Sequence, residues 1–590
     1  MEALYVLLPL LIAALASLIA ADREKASAYI KHISLAASLA SLLLIMALFI
    51  GPHSVSTFTW FSAAGLNFTI STATYSLNLL LLLLVGIITP LIFYYSYGFM
   101  NVPSEQSRYY LLMDIFAASM MLFAISYSLI TLFIAWELLG VTSYLLIGFW
   151  YKKERTARAS RKAITTIILG DIAMLAAIIV LVSAYHTDLF SAILSQAPTG
   201  ALYLSLALIA VAVFTKSAQF PFNEWLADAM EGPTPVSAFL HSSTMVKAGV
   251  FLIAVLLPLY SKAGMLWIFI LFGAVTAALG ALNAFSEHHI KRILAYSTTE
   301  DMGLMFIALG FGSVPAAMIL FFAQAFYKAQ LFMSAGSIMK ANGTEQLYEA
   351  HNLSYNKTLY MSTAVGAASL MGIFPLGGFF GKVLVDQSAT NIYVYLALAL
   401  IEFISVLYMM RWIMVPNRKA AQNLGADINI GYQTLPRSML YSGVIMAVLA
   451  IAVSASYIYL PAYIGSHAGI NLLSAAAESA IIAVGFIIAY AAFAKEVLPR
   501  PFYSESVRRL IYSSMYTNWF YEKLALFFQM VGEVFALVDD GIYYLFRAGA
   551  ESFVLLGRLM RKAENGNVNL YVAAFIIGFV LLALSFVFKV

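Results

Sequence analysis

Apolar runs of about 20 residues, separated by short polar segments, constrain the fold of this chain more than any other feature. A transmembrane helix needs roughly 20 consecutive apolar residues to cross the hydrocarbon core of a bilayer. Of the 590 residues, 62% are hydrophobic and 11% are charged, whereas soluble domains contain about 25% charged residues. The pattern predicts an all-α polytopic membrane protein with short loops. It excludes a disordered chain, a collagen, a coiled coil and a nucleic-acid-binding protein.

The apolar runs predict about sixteen transmembrane helices. These lie near residues 3–20, 31–50, 76–98, 109–128, 129–150, 163–184, 201–222, 236–258, 264–285, 290–311, 314–340, 358–380, 391–415, 437–460, 474–495 and 568–588. A charged segment follows the first run, so we interpret that run as a retained helix rather than a signal peptide. Residues 52–75 alternate roughly between apolar and polar side chains, which predicts an external β-hairpin that caps one face.

The distribution of basic residues predicts the orientation in the membrane. Lys and Arg occur in the loops 21–32, 151–162, 286–292 and 411–437. They are missing from the loops 51–75, 185–200, 386–391 and 460–473. Because cytoplasmic loops carry an excess of Lys and Arg, we expect the N-terminus outside and the long segment after residue 495 on the cytoplasmic side.

Residues 500–567 are too charged for a transmembrane helix and too apolar for an ordinary loop. From Trp519 to Arg561 charged residues recur among apolar ones at helical intervals, which predicts a long amphipathic helix. About forty residues would extend roughly 60 Å. This length favours contact with neighbouring subunits, through Asp539 and Asp540, over a helix that lies on its own bundle. A final transmembrane helix follows in residues 568–590.

Ionisable residues lie within several of the predicted transmembrane helices. They are Glu137, Asp171, Lys216, Lys247, Glu300, Asp301, Lys328, Lys382, Glu402 and Arg411. Each costs about 2.5–3.5 kcal/mol at mid-membrane, and such residues usually mark ion pathways. Any one of them could serve a purely structural pair, but the set predicts a polar axis through the bundle.

Two of these lysines lie where helices are expected to break. Breaks are predicted at Pro221, Pro375, Gly377 and Gly378, close to Lys216 and Lys382. Proline and glycine interrupt the helical hydrogen bonds, and unwound backbone at membrane depth is tolerated only where it is buried or lines a cavity. Broken helices in corresponding positions of two halves indicate an ion site.

The two predicted breaks also suggest an internal repeat. An offset of 166 residues relates Lys216 to Lys382 and Lys162 to Lys328. Five transmembrane helices per copy would invert the second copy in the membrane. The predicted units are N-terminal helices in 1–108, a first repeat in 109–258, a second in 264–415, C-terminal helices in 437–495, the amphipathic segment 500–567 and the final helix in 568–590.

The chain contains no cysteine, so it cannot hold an iron–sulfur cluster by the usual four-cysteine ligation. Its eight histidines are scattered, and their spacing predicts no metal site. The remaining chemistry is proton transfer by buried Lys, Glu, Asp and His side chains. Burial lowers the affinity of a lysine for its proton and a nearby carboxylate raises it, so a row of such residues, with His241 among them, predicts a proton relay.

Four stretches resemble the antiporter-like subunits of complex I-type energy-converting enzymes. They are WELLGVTSYLLIGFW at 136–150, KSAQFPFNEWLADAMEGPTPVSAFLHSSTMVKAGV at 216–250, IKRILAYST at 290–298 and FYKAQLFMSAGS at 326–337. The resemblance covers residues 100–415 strongly, and the tail is similar to the distal subunit type, called L or 5. It implies a proton-translocating subunit of an NADH (or other donor) quinone oxidoreductase in a prokaryotic plasma membrane. Iron–sulfur clusters, flavin or quinone would then be held by other subunits.

The resemblance also implies roles for individual residues. Glu137 and Lys216 would form the input pair, Lys328 the central relay residue and Lys382 the terminal exchange residue, with His241 on the connecting path. The amphipathic helix would lie along sister antiporter-like subunits.

Several positions depart from the usual distal-subunit pattern. These are Lys247, Gln324, Val383 and the acidic pair Glu300 and Asp301. Lys247 and the acidic pair are more typical of Mrp-type antiporters, so a Na⁺/H⁺ antiporter subunit remains an alternative. A membrane-bound hydrogenase or a bicarbonate-uptake component with the same fold is a further one.

Overall fold

A computed structural model describes residues 2–21, 24–63, 66–195, 197, 199–417, 434–467, 469–493, 517–563, 566 and 568–588. Arg23, Arg418 and Lys419 of the predicted inner loops, and residues 500–516 of the predicted amphipathic segment, lie outside the described residues. The chain divides into two compact units, Met1–Met515 and Tyr516–Val590.

The described residues are mostly helical, and eleven helices are long and apolar enough to cross a membrane. Three shorter apolar helices add to these, at Ala3–Ile19, Gly200–Lys216 and Val568–Leu582. The predicted class, a polytopic helical membrane protein, is therefore confirmed. A helix lies at each of the sixteen predicted positions, but the number of helices that span the membrane stays a prediction.

The first unit begins with helices around a hairpin. Its elements are α1 Leu8–Ile19, α2 Glu24–Ile50, β1 Val55–Ala63, β2 Leu66–Ala73 and α3 Ser76–Phe99. The strands pair antiparallel, as the alternating pattern in residues 52–75 predicts, with a register shift between Thr59 and Phe61. The carboxylate of Asp188 accepts hydrogen bonds from the backbone and the hydroxyl of Thr69 at 2.9 Å, which holds the hairpin on the bundle.

The next group of helices contains the first break. The elements are α4 Pro103–Ile125, α5 Leu129–Ile147, α6 Glu154–Tyr185, α7 Phe190–Leu194, α8 Gly200–Lys216, α9 Glu224–Asp228, α10 Thr234–Ser242 and α11 Met245–Lys262. The hydroxyls of Ser128 and Thr199 cap the N-termini of α5 and α8, a role that suits short polar side chains.

The second group is centred on a fully buried helix. The elements are α12 Trp267–Ser286, α13 Ile290–Gly310, α14 Val314–Asn342, α15 Lys357–Met371, α16 Gly377–Ser388 and α17 Ile392–Met414. Every residue of α14 from Ala316 to Ile338 is buried. Helices α12 and α13 can approach closely because residue 280 is glycine. A Cβ atom at Gly280 would lie 2.5 Å from the backbone nitrogen of Glu300.

The first unit ends with α18 Arg437–Ala452, α19 Ser456–Tyr463 and α20 Leu472–Phe493. The second unit contains α21 Thr517–Ala563 and α22 Val568–Phe588. Helix α21 has 47 residues, which corresponds to roughly 70 Å at about 1.5 Å per residue. Its Asp539 and Asp540 are exposed. The position of this helix along sister subunits stays a prediction.

Candidate ion-translocation site

Four of the lysines that the sequence predicts in the polar axis are completely buried. Lys216, Lys247, Lys328 and Lys382 each expose 0% of their surface. They lie on α8, α11, α14 and α16. Because a cation inside the bilayer is costly without a partner, the groups around each lysine indicate what it can do.

Lys216 forms a compact cluster with two residues of neighbouring helices. Its Nζ lies 3.5 Å from Asp171 Oδ1, donates to the Trp136 carbonyl oxygen at 2.6 Å and lies 4.2 Å from the centre of the Trp136 ring. The Trp136 Nε1 also donates to Asp171 Oδ1, at 2.7 Å. One carboxylate oxygen therefore serves both the ammonium and the indole.

The break after Lys216 places this lysine at a helix end. Lys216 is the last residue of α8, Ala218 adopts a positive φ of 50°, and Pro221 has no backbone N–H to continue the helix. The C-terminal end of a helix carries a partial negative charge, which favours a cation there. The break predicted at Pro221 thus coincides with the site of the ion pair.

Glu137 lies near Lys216 but not within ion-pair distance of it. It follows Trp136 on α5 and is half-buried. Among the described residues, the carboxylate within ion-pair distance of Lys216 belongs to Asp171, which the sequence placed among the ionisable residues of the helices without a specific role. The role of Glu137 as input partner stays a prediction.

Lys328 is paired in a closely similar way. Its Nζ lies 3.1 Å from Asp301 Oδ2 and donates to the Ser297 hydroxyl. The hydroxyl of Tyr327 donates to the same carboxylate oxygen at 3.0 Å. As at Lys216, one aspartate oxygen is shared between a lysine and an aromatic donor.

The acidic pair of α13 is divided between two neighbours. Successive helical residues point about 100° apart, so Asp301 faces α14 whereas Glu300 faces α17. The carboxylate of Glu300 accepts hydrogen bonds from the hydroxyls of Ser405 and Tyr408. Asp301 therefore belongs to the lysine site and Glu300 to the contact with α17.

Lys247 has a weaker set of partners. Its Nζ donates to the Phe321 carbonyl oxygen and lies 4.4 Å from the centre of the Phe321 ring. No carboxylate of a described residue lies within ion-pair distance of it. A buried ammonium held by one carbonyl is easier to deprotonate than one held by a carboxylate.

His241 lies beside the helix that carries Lys328. Its ring stacks on Phe332 with 5.2 Å between ring centres, and Phe332 is one helical turn from Lys328 on α14. Neither ring nitrogen has a hydrogen-bond partner among the described residues. Gln324 approaches the His241 backbone oxygen at 3.5 Å. This placement is compatible with the predicted connecting path.

Lys382 follows the second break. Helix α15 ends at Met371 and α16 begins at Gly377, on either side of Pro375. A side chain at Gly378 would come within 1.7 Å of the Ser369 carbonyl oxygen, so only glycine fits this crossing. The Nζ of Lys382 has no hydrogen-bond partner among the described residues.

The sequence predicted only one of the three buried carboxylates near Lys382. Glu402 was predicted, whereas Asp386 and Glu478 were not, although Glu478 lies within the predicted transmembrane helix at 474–495. An oxygen from each of the three lies within 4.8 Å of the others. Asp114 of α4 was missed too, and it accepts a hydrogen bond from Ser34 at 2.7 Å. Glu478 and Asp114 could have been found from the sequence, because each is a charged residue inside an apolar run. Asp386 lies at a helix end and offered no such signal.

Arg411 has a structural role at the C-terminal end of α12. Its guanidinium donates to the backbone oxygens of Ala284 and Glu287 at 3.0 and 2.7 Å. These carbonyls belong to the C-terminal end of α12, where backbone oxygens lack helical partners. Arg411 therefore caps α12.

A polar cavity of about 740 Å³ lies among the loop ends that carry basic residues. Asp228 on its wall accepts hydrogen bonds from Lys162 at 2.7 Å and from Arg292 at 3.2 Å. On the same wall, the hydrogen bond with His289 lowers the pKa of Glu345 to about 2. Nine of the thirteen lining residues come from the loops 151–162 and 286–292, which the sequence predicts to be cytoplasmic, so this cavity lies on the predicted inner side.

Residues 126–407 match a family model described as NADH:quinone oxidoreductase/Mrp antiporter, transmembrane. The chain is 34% identical over 371 residues to the NADH-quinone oxidoreductase subunit L of Campylobacter jejuni, covering 61% of this chain and 62% of that relative. It is 35% identical over 337 residues to subunit L of Rickettsia typhi, covering 55% and 52% of the two chains. The chain thus matches about half to three-fifths of the length of these curated relatives.

A chain of the Mrp complex from a Dietzia species has the same fold. It superposes with a TM-score of 0.72 at 23% identity, over 100% of this chain and 63% of that chain. The relationship that the sequence motifs indicate, to the antiporter-like subunits of complex I-type enzymes and to Mrp subunits, is confirmed.

Proposed function

We propose that this chain is the proton-translocating membrane subunit of a complex I-type NADH, or other donor, quinone oxidoreductase. It moves H⁺ through a relay of buried Lys, Asp, Glu and His residues, and redox chemistry in other subunits drives the movement. The observation that carries the proposal is the pair of buried lysine–aspartate contacts, Lys216 with Asp171 at 3.5 Å and Lys328 with Asp301 at 3.1 Å.

Each contact can switch the proton affinity of its lysine. While the aspartate is close, it favours the ammonium form; when the contact opens, desolvation favours the neutral amine and the proton leaves. Lys247 and His241 lie between the two pairs in the chain and have no carboxylate partner among the described residues. They receive and pass the proton, and Lys382 exchanges it at the far end.

The broken helices support this use of the bundle. Lys216 ends α8, and Lys382 lies within the second turn of α16, after the break at Gly372–Leu376. In this proposal 109–258 and 264–415 are inverted repeats, and each break allows a hinge at a lysine. Conformational change in one repeat then opens one lysine contact at a time.

The assembly follows from the same proposal. The chain lies in a prokaryotic plasma membrane with its N-terminus outside, and α21 runs along sister antiporter-like subunits through Asp539 and Asp540. Iron–sulfur clusters, flavin or quinone belong to other subunits. Truncation after residue 500 is expected to leave the bundle folded but the complex loosely assembled. A fully intact complex on a native gel would contradict this placement of α21.

The function is tested by the Lys216→Met substitution in membranes that contain the whole complex. We expect loss of proton translocation and slower electron transfer, measured as the proton-to-electron ratio in inverted vesicles. The matched control is Lys262→Met, because Lys262 is exposed and, within the described part of the chain, donates only to the Leu194 carbonyl oxygen. An unchanged ratio in Lys216→Met vesicles would reject the proposal.

An Mrp-type Na⁺/H⁺ antiporter subunit is the second candidate. The buried Lys247 and the acidic pair Glu300 and Asp301 favour it over the usual distal-subunit pattern. Purification of the native complex separates the two functions, because a redox-driven pump copurifies with cysteine-rich iron–sulfur subunits. An antiporter complex contains none and exchanges Na⁺ for H⁺ without an electron donor.

A further inference from the structure

Three carboxylates from three helices meet close to Lys382 inside the bundle. They belong to Asp386 of α16, Glu402 of α17 and Glu478 of α20. We infer that they form a binding site for a hard, oxygen-liganded cation of the Na⁺ or Ca²⁺ type. Its physiological use rests on the proposed ion translocation, but the binding itself does not.

The spacing of the oxygens suits a single cation. One oxygen from each carboxylate lies within 4.8 Å of the other two. Oxygen ligands lie about 2.3–2.6 Å from Ca²⁺, so oxygens that share one such ion are at most about 5 Å apart. The three side chains are at most 3% exposed, which means that bulk water does not compete for these ligands.

The carboxylates lack the donors that other buried acids of this chain have. Asp171, Asp301 and Glu300 each accept hydrogen bonds from a tryptophan, tyrosine or serine side chain. In contrast, no such donor among the described residues reaches either oxygen of Glu478, Asp386 Oδ1 or Glu402 Oε2. The carboxyl of Glu402 instead lies within hydrogen-bond reach of the carboxyls of Asp386 and Glu478. Buried polar atoms without partners are costly, so these oxygens are oriented for a group that the protein itself does not supply.

Charge balance also requires an additional cation or protons. Among the described residues, no carboxylate lies within ion-pair distance of the Lys382 ammonium. Three ionised carboxylates against this one ammonium leave about two negative charges uncompensated in a low-dielectric environment. Because the ligands are all oxygens, with neither nitrogen nor sulfur among them, the site favours hard cations over transition metals.

The helix break adds a further negative end at this place. A side chain at Gly372, directly after α15, would come within 3.1 Å of Glu478 Oε1 and 3.4 Å of the Lys382 side chain. The C-terminal end of α15, with its partial negative charge, therefore adjoins the carboxylates. Ends of broken helices hold cations in the same manner in membrane transporters.

Packing alone does not explain the burial of Glu478. Helix α20 buries five residues, and apart from Glu478 these are Ile482, Gly485, Ala489 and Ala492. The stripe that faces the bundle is thus apolar except for one carboxylate. A carboxylate is expensive at such a position unless it binds a cation or a proton.

The test measures cation binding to the full-length chain in lipid nanodiscs. NaCl and CaCl₂ are titrated separately by calorimetry, at constant ionic strength maintained with choline chloride. We expect saturable binding of one of the two cations, weakened about tenfold or more in Glu478→Gln, since even outer-shell changes cost about 10–100-fold in metal affinity. The matched control, Asp114→Asn, changes a buried carboxylate that already has a donor, and its binding should equal that of the unmodified chain.

Glu402→Gln provides a second variant in case Glu478→Gln does not fold. The inference would be overturned if neither Na⁺ nor Ca²⁺ bound saturably to the unmodified chain. It would also be overturned if a folded Glu478→Gln or Glu402→Gln chain bound the cation as tightly as the unmodified chain. The carboxylates would then be a site for protons. The Lys216→Met chain separates this result from the proposed function. Loss of pumping with intact cation binding in Lys216→Met supports both the proposed function and the inference. Pumping by the unmodified complex without any cation binding rejects the inference alone. Binding without pumping in the unmodified complex rejects the proposed function alone.

Discussion

The four buried lysines fall into two classes that differ in their partners. Lys216 and Lys328 each contact an aspartate, and that aspartate also accepts a hydrogen bond from an aromatic side chain, Trp136 Nε1 or the Tyr327 hydroxyl. Lys247 and Lys382 have no carboxylate of a described residue within ion-pair distance. The bundle therefore contains two lysines that contact an aspartate and two that have no carboxylate of the described residues at ion-pair distance.

This difference indicates how a relay can have direction. A site that retained its proton in every state would block the pathway, and a site that never bound one would interrupt it. Sharing one aspartate oxygen between a lysine and an aromatic donor makes the arrangement depend on the positions of three helices at Lys216 (α5, α6 and α8) and of two helices at Lys328 (α13 and α14).

The largest effect is expected for Asp171→Asn. It leaves Lys216 without a carboxylate within ion-pair distance, and breaking a buried pair costs about 3–5 kcal/mol. Proton translocation should be lost and the chain should unfold at lower temperature, measured in vesicles and by thermal unfolding in detergent. The control is Glu154→Gln, which removes an exposed pair with Arg158. Equal effects of Asp171→Asn and Glu154→Gln would show that the buried lysine–aspartate contact at Lys216 is not required for translocation or stability.

The next prediction separates the two acids of α13. Asp301→Asn should abolish translocation because Asp301 contacts Lys328, whereas Glu300→Gln should reduce it less because the Tyr408 and Ser405 hydroxyls still have an acceptor. Initial rates of proton uptake at matched protein levels measure the difference. A larger loss in Glu300→Gln would assign the relay to the side of α17 instead.

Lys247→Met should have a smaller effect on stability than either aspartate substitution. It removes a buried ammonium held by one carbonyl, and a methionine of similar length fills the space. We expect an unfolding temperature at or above that of the unmodified chain, with translocation reduced because a transfer step is lost. Marked destabilisation would place Lys247 in the paired class.

The smallest effect concerns the polar cavity outside the bundle core. The pKa of Glu345 is lowered from 4.5 to about 2 by its hydrogen bond with His289. A lowered carboxyl pKa stabilises the fold above the ordinary value, and this contribution disappears as the pH falls from about 4.5 towards about 2. Glu345→Gln should flatten that part of the stability profile, which thermal unfolding against pH would reveal. Because Glu345 is largely exposed, the change should be modest, and an unaltered profile would mean that the contact contributes nothing.

Much of the site was predictable because local chemistry carries it. The breaks near Lys216 and Lys382 follow from proline and glycine, which act on the backbone wherever they occur. The hairpin over 52–75 follows from alternation. Asp386 and Glu478 were missed because one lies at a helix end and the other appears isolated in an apolar run, and only their shared position makes them a group.

The sequence by itself determined that the chain is a helical membrane protein, where its helices break and which lysines lie within apolar helices. These properties depend on residues that are neighbours along the chain. Only the tertiary structure decided that Lys216 contacts Asp171 and that Lys328 contacts Asp301 rather than Glu300. It also brought Glu478 to Asp386 and Glu402. The physical reason is that a buried ion pair forms where two helix faces meet, and the relative rotation of packed helices is set by many contacts far apart in the chain.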